Sequence, residues 1–388
     1  MIYFDTNVTP EEVAYDGSRI GAIDALFEDL IAKEKIISAN YCLARDGKIF
    51  ANRAMGKLSY HKEDTRELKP DTIQRIASIT KLFTAIAIWK LVEDGKLRVN
   101  QRVGEIIPEF SEKPFDEITI AHLLSHTSGL QADPGCFPNP YFTSPWDFII
   151  KDKGKNWIAA ALHSGMRKAP GEEWAYCSFG FVILGEIISR VSGEFAHDYI
   201  TKHIIKPCGL NNTGFDFRCK EVVSKTNIPN KDREKLIDSI LNETYKEDKI
   251  DKIFQNIPGT GGGMYSTAYD LCRFGMMLQQ NGYMDGTRII GRKAIEKLST
   301  LYTGQNIRDF CWAAGGNVRE YGLGPDMRRN EASLYSEGTF FHEGAGGCAL
   351  IIDPKERMVA AWFIPFVNEQ WSPEPINNAP AVMWSGLK

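Results

Sequence analysis

Ser78 and Lys81 stand three residues apart where an apolar helical pattern begins, in the stretch Gln74 to Ala85. One helical turn separates them, so both side chains emerge on the same face. A serine hydroxyl is a poor nucleophile until a neighbouring base takes its proton. A lysine serves as that base when burial or nearby positive charge lowers its pKa towards neutrality. Backbone N–H groups and the positive dipole end at a helix start also favour negative charge developing nearby. The same spacing recurs at Ser59–Lys62, in a polar run, and at Ser385–Lys388, at the C-terminal carboxylate. Only Ser78–Lys81 heads an apolar helix. The bland alternative for Ser78 is a helix N-cap, a position serines favour.

Two more stretches carry chemistry. Tyr176 stands just before a second apolar helix, preceded by Pro170-Gly171-Glu172 as though a turn presents it. A tyrosine near a cation loses its proton more readily and can act as a base or relay; otherwise it is a packed ring with a satisfied hydroxyl. His342-Glu343-Gly344-Ala345-Gly346-Gly347 immediately precedes an apolar strand. Its glycines permit close approach of a substrate, and a backbone N–H there could stabilise an oxyanion; its plainer reading is a glycine-rich turn.

The elements that must position these groups follow from pattern. Residues 18–34 read as an amphipathic helix with Ile20, Ile23, Phe27, Leu30 and Ile31 on one face. Strands Asn40–Ala44 and Lys48–Ala54 meet at Asp46-Gly47, a tight-hairpin signal. The Ser78 helix runs to Asp94-Gly95, with Leu82, Ala85, Ile86, Leu91 and Val92 at helical spacing. Thr119 caps a short helix over Ile120–Ser125, and Phe179–Val191 forms the second apolar helix. Residues 131–157, rich in Pro, Gly and aromatics, read as a long loop walling a pocket. Residues 217–255 read as polar, helical and lid-like. Pro258–Gly263 is a tight turn, followed by a Thr267–Asp270 capping box on a helix to Leu278. It lacks the Gly-Lys-Ser/Thr ending of a phosphate loop, so nucleotide binding is not expected. A last hairpin, Gly347–Ile352 and Arg357–Ile364, turns at Asp353-Pro354-Lys355, and Ile376–Trp384 is a closing helix.

Strands at both ends with helices between predict an α+β fold, one antiparallel sheet assembled from both ends of the chain and flanked by helices. The expected division is a discontinuous sheet domain, 1–95 and 256–388, and a mostly helical domain, 96–255, with the cleft between them. The chain has 388 residues and a formal net charge of −4, with no basic block interleaved with aromatics, so no nucleic-acid partner is expected. No apolar run approaches the length of a membrane span, and the first residues do not read as a secretory signal, so a cytoplasmic location is expected. Eight scattered cysteines without a Cys-x-x-Cys pair are expected to be buried free thiols. Seven histidines show no metal-ligand spacing, and neither metal nor other cofactor is implied.

Together these segments resemble the serine β-lactamase and penicillin-binding-protein superfamily, in its class C-like branch with family VIII carboxylesterases, D-aminopeptidases and acyltransferases. The resemblance runs from about residue 20 to the C-terminus. It is carried by Arg75–Lys81, Leu123–Leu130, Tyr176-Cys177-Ser178 with Leu184–Ile188, Gly261–Thr267, Tyr321–Gly324 and His342–Gly347. It implies a β-lactamase/transpeptidase-like fold. Ser78 would be the acylated nucleophile, and Lys81 and Tyr176 would share general acid–base duty. The backbone N–H groups of Ser78 and Ala345 would form the oxyanion hole. Ser178, His342, Glu343 and Gly344 would contact substrate, a small ester or amide. Two departures bear on the reaction. Ser178 stands where the family's tyrosine motif usually ends in Asn, and His342-Glu343-Gly344 stands where lactamases and transpeptidases carry Lys-Thr-Gly. Serine has no amide, and histidine is largely neutral at pH 7. Both argue against efficient β-lactam hydrolysis and for a carboxylesterase. β-Lactamase, D-amino-acid amidase or peptidase, and acyl transfer share the machinery, and a non-catalytic binding protein of the same fold is the remote alternative. Oligomeric state is not legible.

Overall fold

The computed structural model describes residues 8–58, 65–137, 143–216, 249–327, 334–365 and 373–388. Helix α1 (Ser18–Ala32) leads into β1 (Ser38–Arg45) and β2 (Lys48–Gly56). Their turn has positive φ at both Asp46 and Gly47, 55° and 72°, the backbone a two-residue type I′ hairpin demands. After the short strand β3 (Gln74–Arg75) comes α2 (Thr80–Glu93). Every residue from Thr80 to Trp89 is buried, so the apolar helix expected here is a central core helix, covered all round.

The middle of the chain is helical: α3 (Ile120–Leu124), α4 (Pro145–Asp152), α5 (Trp157–Leu162), α6 (Ser178–Ser192), α7 (Ala196–Ile200) and α8 (Lys249–Phe254). Helix α4 falls inside the stretch expected to be loop. Ser144 accepts a hydrogen bond from the Trp146 N–H and Pro145 occupies the first turn, two helix-start signals hidden in a Pro-rich composition. Of the expected polar lid, 217–248 lies outside the described residues. Strand β4 (Tyr265–Ser266) precedes α9 (Ala268–Gln279) and α10 (Arg292–Leu298). Thr267 caps α9 through the Asp270 N–H, but the Asp270 carboxylate turns instead to Asn212 and Thr213. Strands β5 (Phe340–Gly344), β6 (Cys348–Asp353) and β7 (Met358–Phe363) and helix α11 (Pro373–Trp384) close the chain.

The main sheet has the order β2-β1-β7-β6-β5, all neighbours antiparallel. It joins the N-terminal hairpin to the C-terminal strands at β1/β7, where Asn40 pairs with Phe363 and Cys42 with Ala361. Alternation along the strands splits the core. Tyr41, Leu43, Ile351, Ala360 and Trp362 face α1 and α11, with Phe27 and Trp384. Cys42, Ala44, Leu350, Ile352 and Ala361 belong to a second apolar layer that continues through α9 and α2 to α6. A Cβ on Gly275 of α9 would lie 2.5 Å from a Val359 methyl, so only glycine lets that helix lie so close to the sheet. Phe83 of α2 stacks on Phe274 of α9 at 3.9 Å. The seven described cysteines are buried and free.

Candidate active site

Ser78 is not a helix cap. It sits in a one-turn 3-10 segment, Ala77–Ile79, directly before α2, and no side-chain cap bond is formed there. Ala77 carries a positive φ of 44°, a strained turn of the kind that clusters at functional sites. The turn leaves Ser78 partly exposed while Lys81, one turn on, is fully buried. The β3/β4 ladder and a bond from the Ile76 N–H to the Met264 carbonyl lay the glycine-rich turn 258–263 alongside. Lys81 Nζ reaches three oxygens: Ser78 Oγ at 3.0 Å, Ser178 Oγ at 3.0 Å and the Gly261 carbonyl at 2.6 Å. Burial lowers the Lys81 ammonium to about 8, opposed by Asp133, Cys177 and Cys136.

Tyr176 and Ser178 are delivered by the segment entering α6. His126, itself at φ 59°, clamps that segment twice: its carbonyl accepts the Ala175 N–H at 2.9 Å and its Nδ1 accepts the Cys177 N–H at 3.0 Å. Tyr176 lies against the His126 ring at 4.4 Å and the Trp312 ring at 5.3 Å, with Lys81 Nζ 4.8 Å from its centroid. Burial raises the pKa of its hydroxyl well above the usual phenol value, opposed by the neighbouring Ser78. The phenol therefore keeps its proton at neutral pH.

Asp133, in the loop expected to wall the pocket, joins the cluster directly. Its carboxylate accepts the Ser178 N–H at 2.7 Å and the Ser178 hydroxyl at 2.5 Å, and its own N–H donates to the Tyr176 carbonyl at 2.8 Å. Burial pushes the carboxyl up, opposed by the Lys81 charge and by both bonds from Ser178.

The fourth wall is β5. His342 is buried, its Nδ1–H donates to the Glu343 carbonyl at 2.7 Å, and Tyr321 Oη lies 3.4 Å from its Nε2. Burial first, then the Lys81 charge, depress His342 to about 3, so it is neutral. Arg319, buried behind it, is bound by Asp309 at 3.2 Å and Asp326 at 2.5 Å. Glu343 pairs with Ala349 whereas His342 pairs with Leu350. Its side chain therefore points to the opposite face of β5, and only its carbonyl takes part. A Cβ on Gly344 would lie 2.4 Å from the Ile76 carbonyl, so glycine lets β5 close on the Ser78 turn. Ala345 follows in the exposed turn to β6.

Sequence reasoning thus found Ser78, Lys81, Tyr176, Ser178 and His342, and the structure brings these together. It missed Asp133, the Gly261 carbonyl and the His126 clamp, although Gly261 and His126 lie within the motifs that carry the resemblance. Among the described residues no cluster of His, Cys, Asp and Glu could hold a metal ion. No described helix is long and apolar enough to cross a membrane.

The family model described as Beta-lactamase matches residues 23–371. The chain belongs to the beta-lactamase family. It is 24% identical over 375 residues to a putative D-alanyl-D-alanine carboxypeptidase of Escherichia coli (strain K12), covering 91% of this chain and 83% of that protein. Among solved structures it resembles EstCE1, a hydrolase with promiscuous acyltransferase activity, with a TM-score of 0.75 and 19% identity over 94% of this chain and 98% of the other. A family VIII carboxylesterase superposes with a TM-score of 0.71 and 20% identity, over 93% and 96% of the two chains. At these identities the structural likeness speaks for the fold, an antiparallel sheet flanked by helices as the motifs imply. In general terms the chain is a beta-lactamase-family hydrolase.

Proposed function

We propose that the chain is a carboxylesterase acting on small esters through an acyl-enzyme on Ser78. The observation that carries this reading is the bonding of Lys81. A neutral amine has two N–H bonds and one lone pair. With the N–H bonds taken by the Gly261 carbonyl and Ser178 Oγ, the lone pair is left for the Ser78 hydroxyl. Lys81 takes the Ser78 proton as Oγ attacks the ester carbonyl, and the Ser78 and Ala345 N–H groups receive the oxyanion. Tyr176, held protonated, donates to the departing alkoxide. The tyrosinate then takes a proton from the incoming water as the water oxygen attacks the acyl carbonyl, and Lys81 returns its proton to Ser78 Oγ. The acyl group then leaves on that water.

Two features favour an ester over a β-lactam. His342 is neutral and the Arg319 guanidinium behind it is engaged by two carboxylates, so neither offers a free cation to a substrate carboxylate. Ser178 donates its hydroxyl proton to Asp133 and has none to offer a substrate amide carbonyl. The decisive comparison is wild type against Ser78→Ala on short-chain p-nitrophenyl esters and a chromogenic cephalosporin. Ester turnover reduced roughly 10⁴-fold or more by the substitution, with little cephalosporin turnover, supports the reading. Fast cephalosporin hydrolysis would refute it.

A further inference from the structure

We infer that Asp133 is a positioning residue that sets the direction of the hydrogen-bond chain from Lys81 through Ser178, and so reserves the Lys81 lone pair for Ser78. This rests on the roles proposed above for Ser78 and Lys81. A serine hydroxyl beside a neutral amine has two options: it accepts an amine N–H, or it donates its proton to the amine lone pair. The second option would pit Ser178 against Ser78 for the same lone pair. Asp133 removes it. With the Lys81 charge and both bonds from Ser178 favouring its ionised form, the carboxylate only accepts, and at 2.5 Å from Ser178 Oγ it takes the hydroxyl proton in a strong charge-assisted bond. Ser178 Oγ can then only accept from Lys81.

The same carboxylate fixes the backbone. It holds the Ser178 N–H at 2.7 Å, while the Asp133 N–H holds the Tyr176 carbonyl at 2.8 Å. One residue thus ties both groups that flank Lys81. Besides Asp133, the titratable groups around Lys81 are Tyr176, Cys177, Cys136 and the rings of His126 and His342. Both histidines are held neutral and the thiols of Cys136 and Cys177 are pushed up by their surroundings. Asp133 is the anion of this shell, and it supports the protonated form of Lys81.

The test uses Asp133→Ala, Ser178→Ala and the double variant, with a p-nitrophenyl ester across pH. Asp133→Ala frees the Ser178 hydroxyl to compete, and plateau kcat should fall on the order of 10²-fold. Removing that competitor in Asp133→Ala/Ser178→Ala should then recover about tenfold, a coupling that a merely structural loss does not produce. Asp133→Asn keeps the shape without the charge, and should move the acid limb of kcat/KM down by about one pH unit. A double variant as slow as or slower than Asp133→Ala overturns the inference. So does an unmoved limb in Asp133→Asn, which decides the matter if the alanine variant fails to fold. Full activity in Ser78→Ala would overturn the esterase reading itself. A dead Ser78→Ala with purely additive Asp133 and Ser178 effects would overturn this inference alone.

Discussion

Lys81 owes its chemistry to where the chain puts it. A surface lysine holds its proton to about 10.4, whereas burial brings Lys81 to about 8 and leaves Tyr176 protonated. In the proposed role of base Lys81 must be neutral to act, so kcat/KM on a neutral ester should rise with pH through about 8 and show no tyrosinate limb below it. A limb near 6 would mean that another group is the base. Lys81→Met should remove the rising limb along with most of the activity. At this scale Ser78 and Lys81 were legible as a pair because, of the three places where that spacing occurs, only theirs heads an apolar helix. The Gly261 carbonyl was not, since every residue carries one and no letter of the sequence marks it. Asp133 lay in a stretch without periodicity, where no pattern says which of several polar residues turns inward.

At the level of elements, the site is a meeting of backbones that glycine permits. The Cβ that Gly344 lacks would strike the Ile76 carbonyl, and the one Gly261 lacks would come 2.7 Å from the Ser178 carbonyl. Gly344→Ala should push β5 off the Ser78 turn and lower kcat/KM on the order of 10²-fold, chiefly through kcat. Steady-state kinetics checks this, and an unchanged kcat would separate the Ala345 turn from the oxyanion. The hairpin at Asp46-Gly47 was readable because its turn chemistry is local. Helix α4 was not, because its start signals are two residues amid prolines and aromatics that resemble loop. The side on which Glu343 lies required the pairing of β5, since alternation inverts every second residue.

For the whole molecule, one antiparallel sheet built from both ends of the chain was legible, because apolar runs and the α+β sequence of elements are global patterns. Its strand order was not, and β5 lay in a stretch that reads as a glycine-rich turn. The buried histidines are a further global property. His197 accepts the Gly259 N–H at 2.7 Å and burial holds it near 4, against an ordinary 6.5; His342 and His126 are depressed by burial as well. Between 6.5 and the folded values the unfolded chain binds more protons than the native one, so stability rises with pH there and is lost on acidification. The melting temperature should fall as pH drops from about 6.5 towards 4. His197→Gln, which keeps an acceptor that does not titrate, should flatten that slope by about 3 °C or more over the range. An unchanged slope would clear His197 and leave the acid sensitivity to His126, His342 and the carboxylates.

The β1/β7 pairing also sets a timetable. As the chain grows from its N-terminus, β1 and β2 are made early, yet the partner that covers the free edge of β1 is Met358–Phe363, nearly the whole chain later. Until then a strand of Tyr41, Cys42 and Leu43 waits with its backbone unsatisfied and its apolar faces bare. The helical middle can condense meanwhile, because its contacts are nearer in sequence. Closing the sheet is then a late event that depends on a very long loop, and both features slow folding. The waiting hairpin is where a nascent chain of this protein is most open to mispairing with its neighbours.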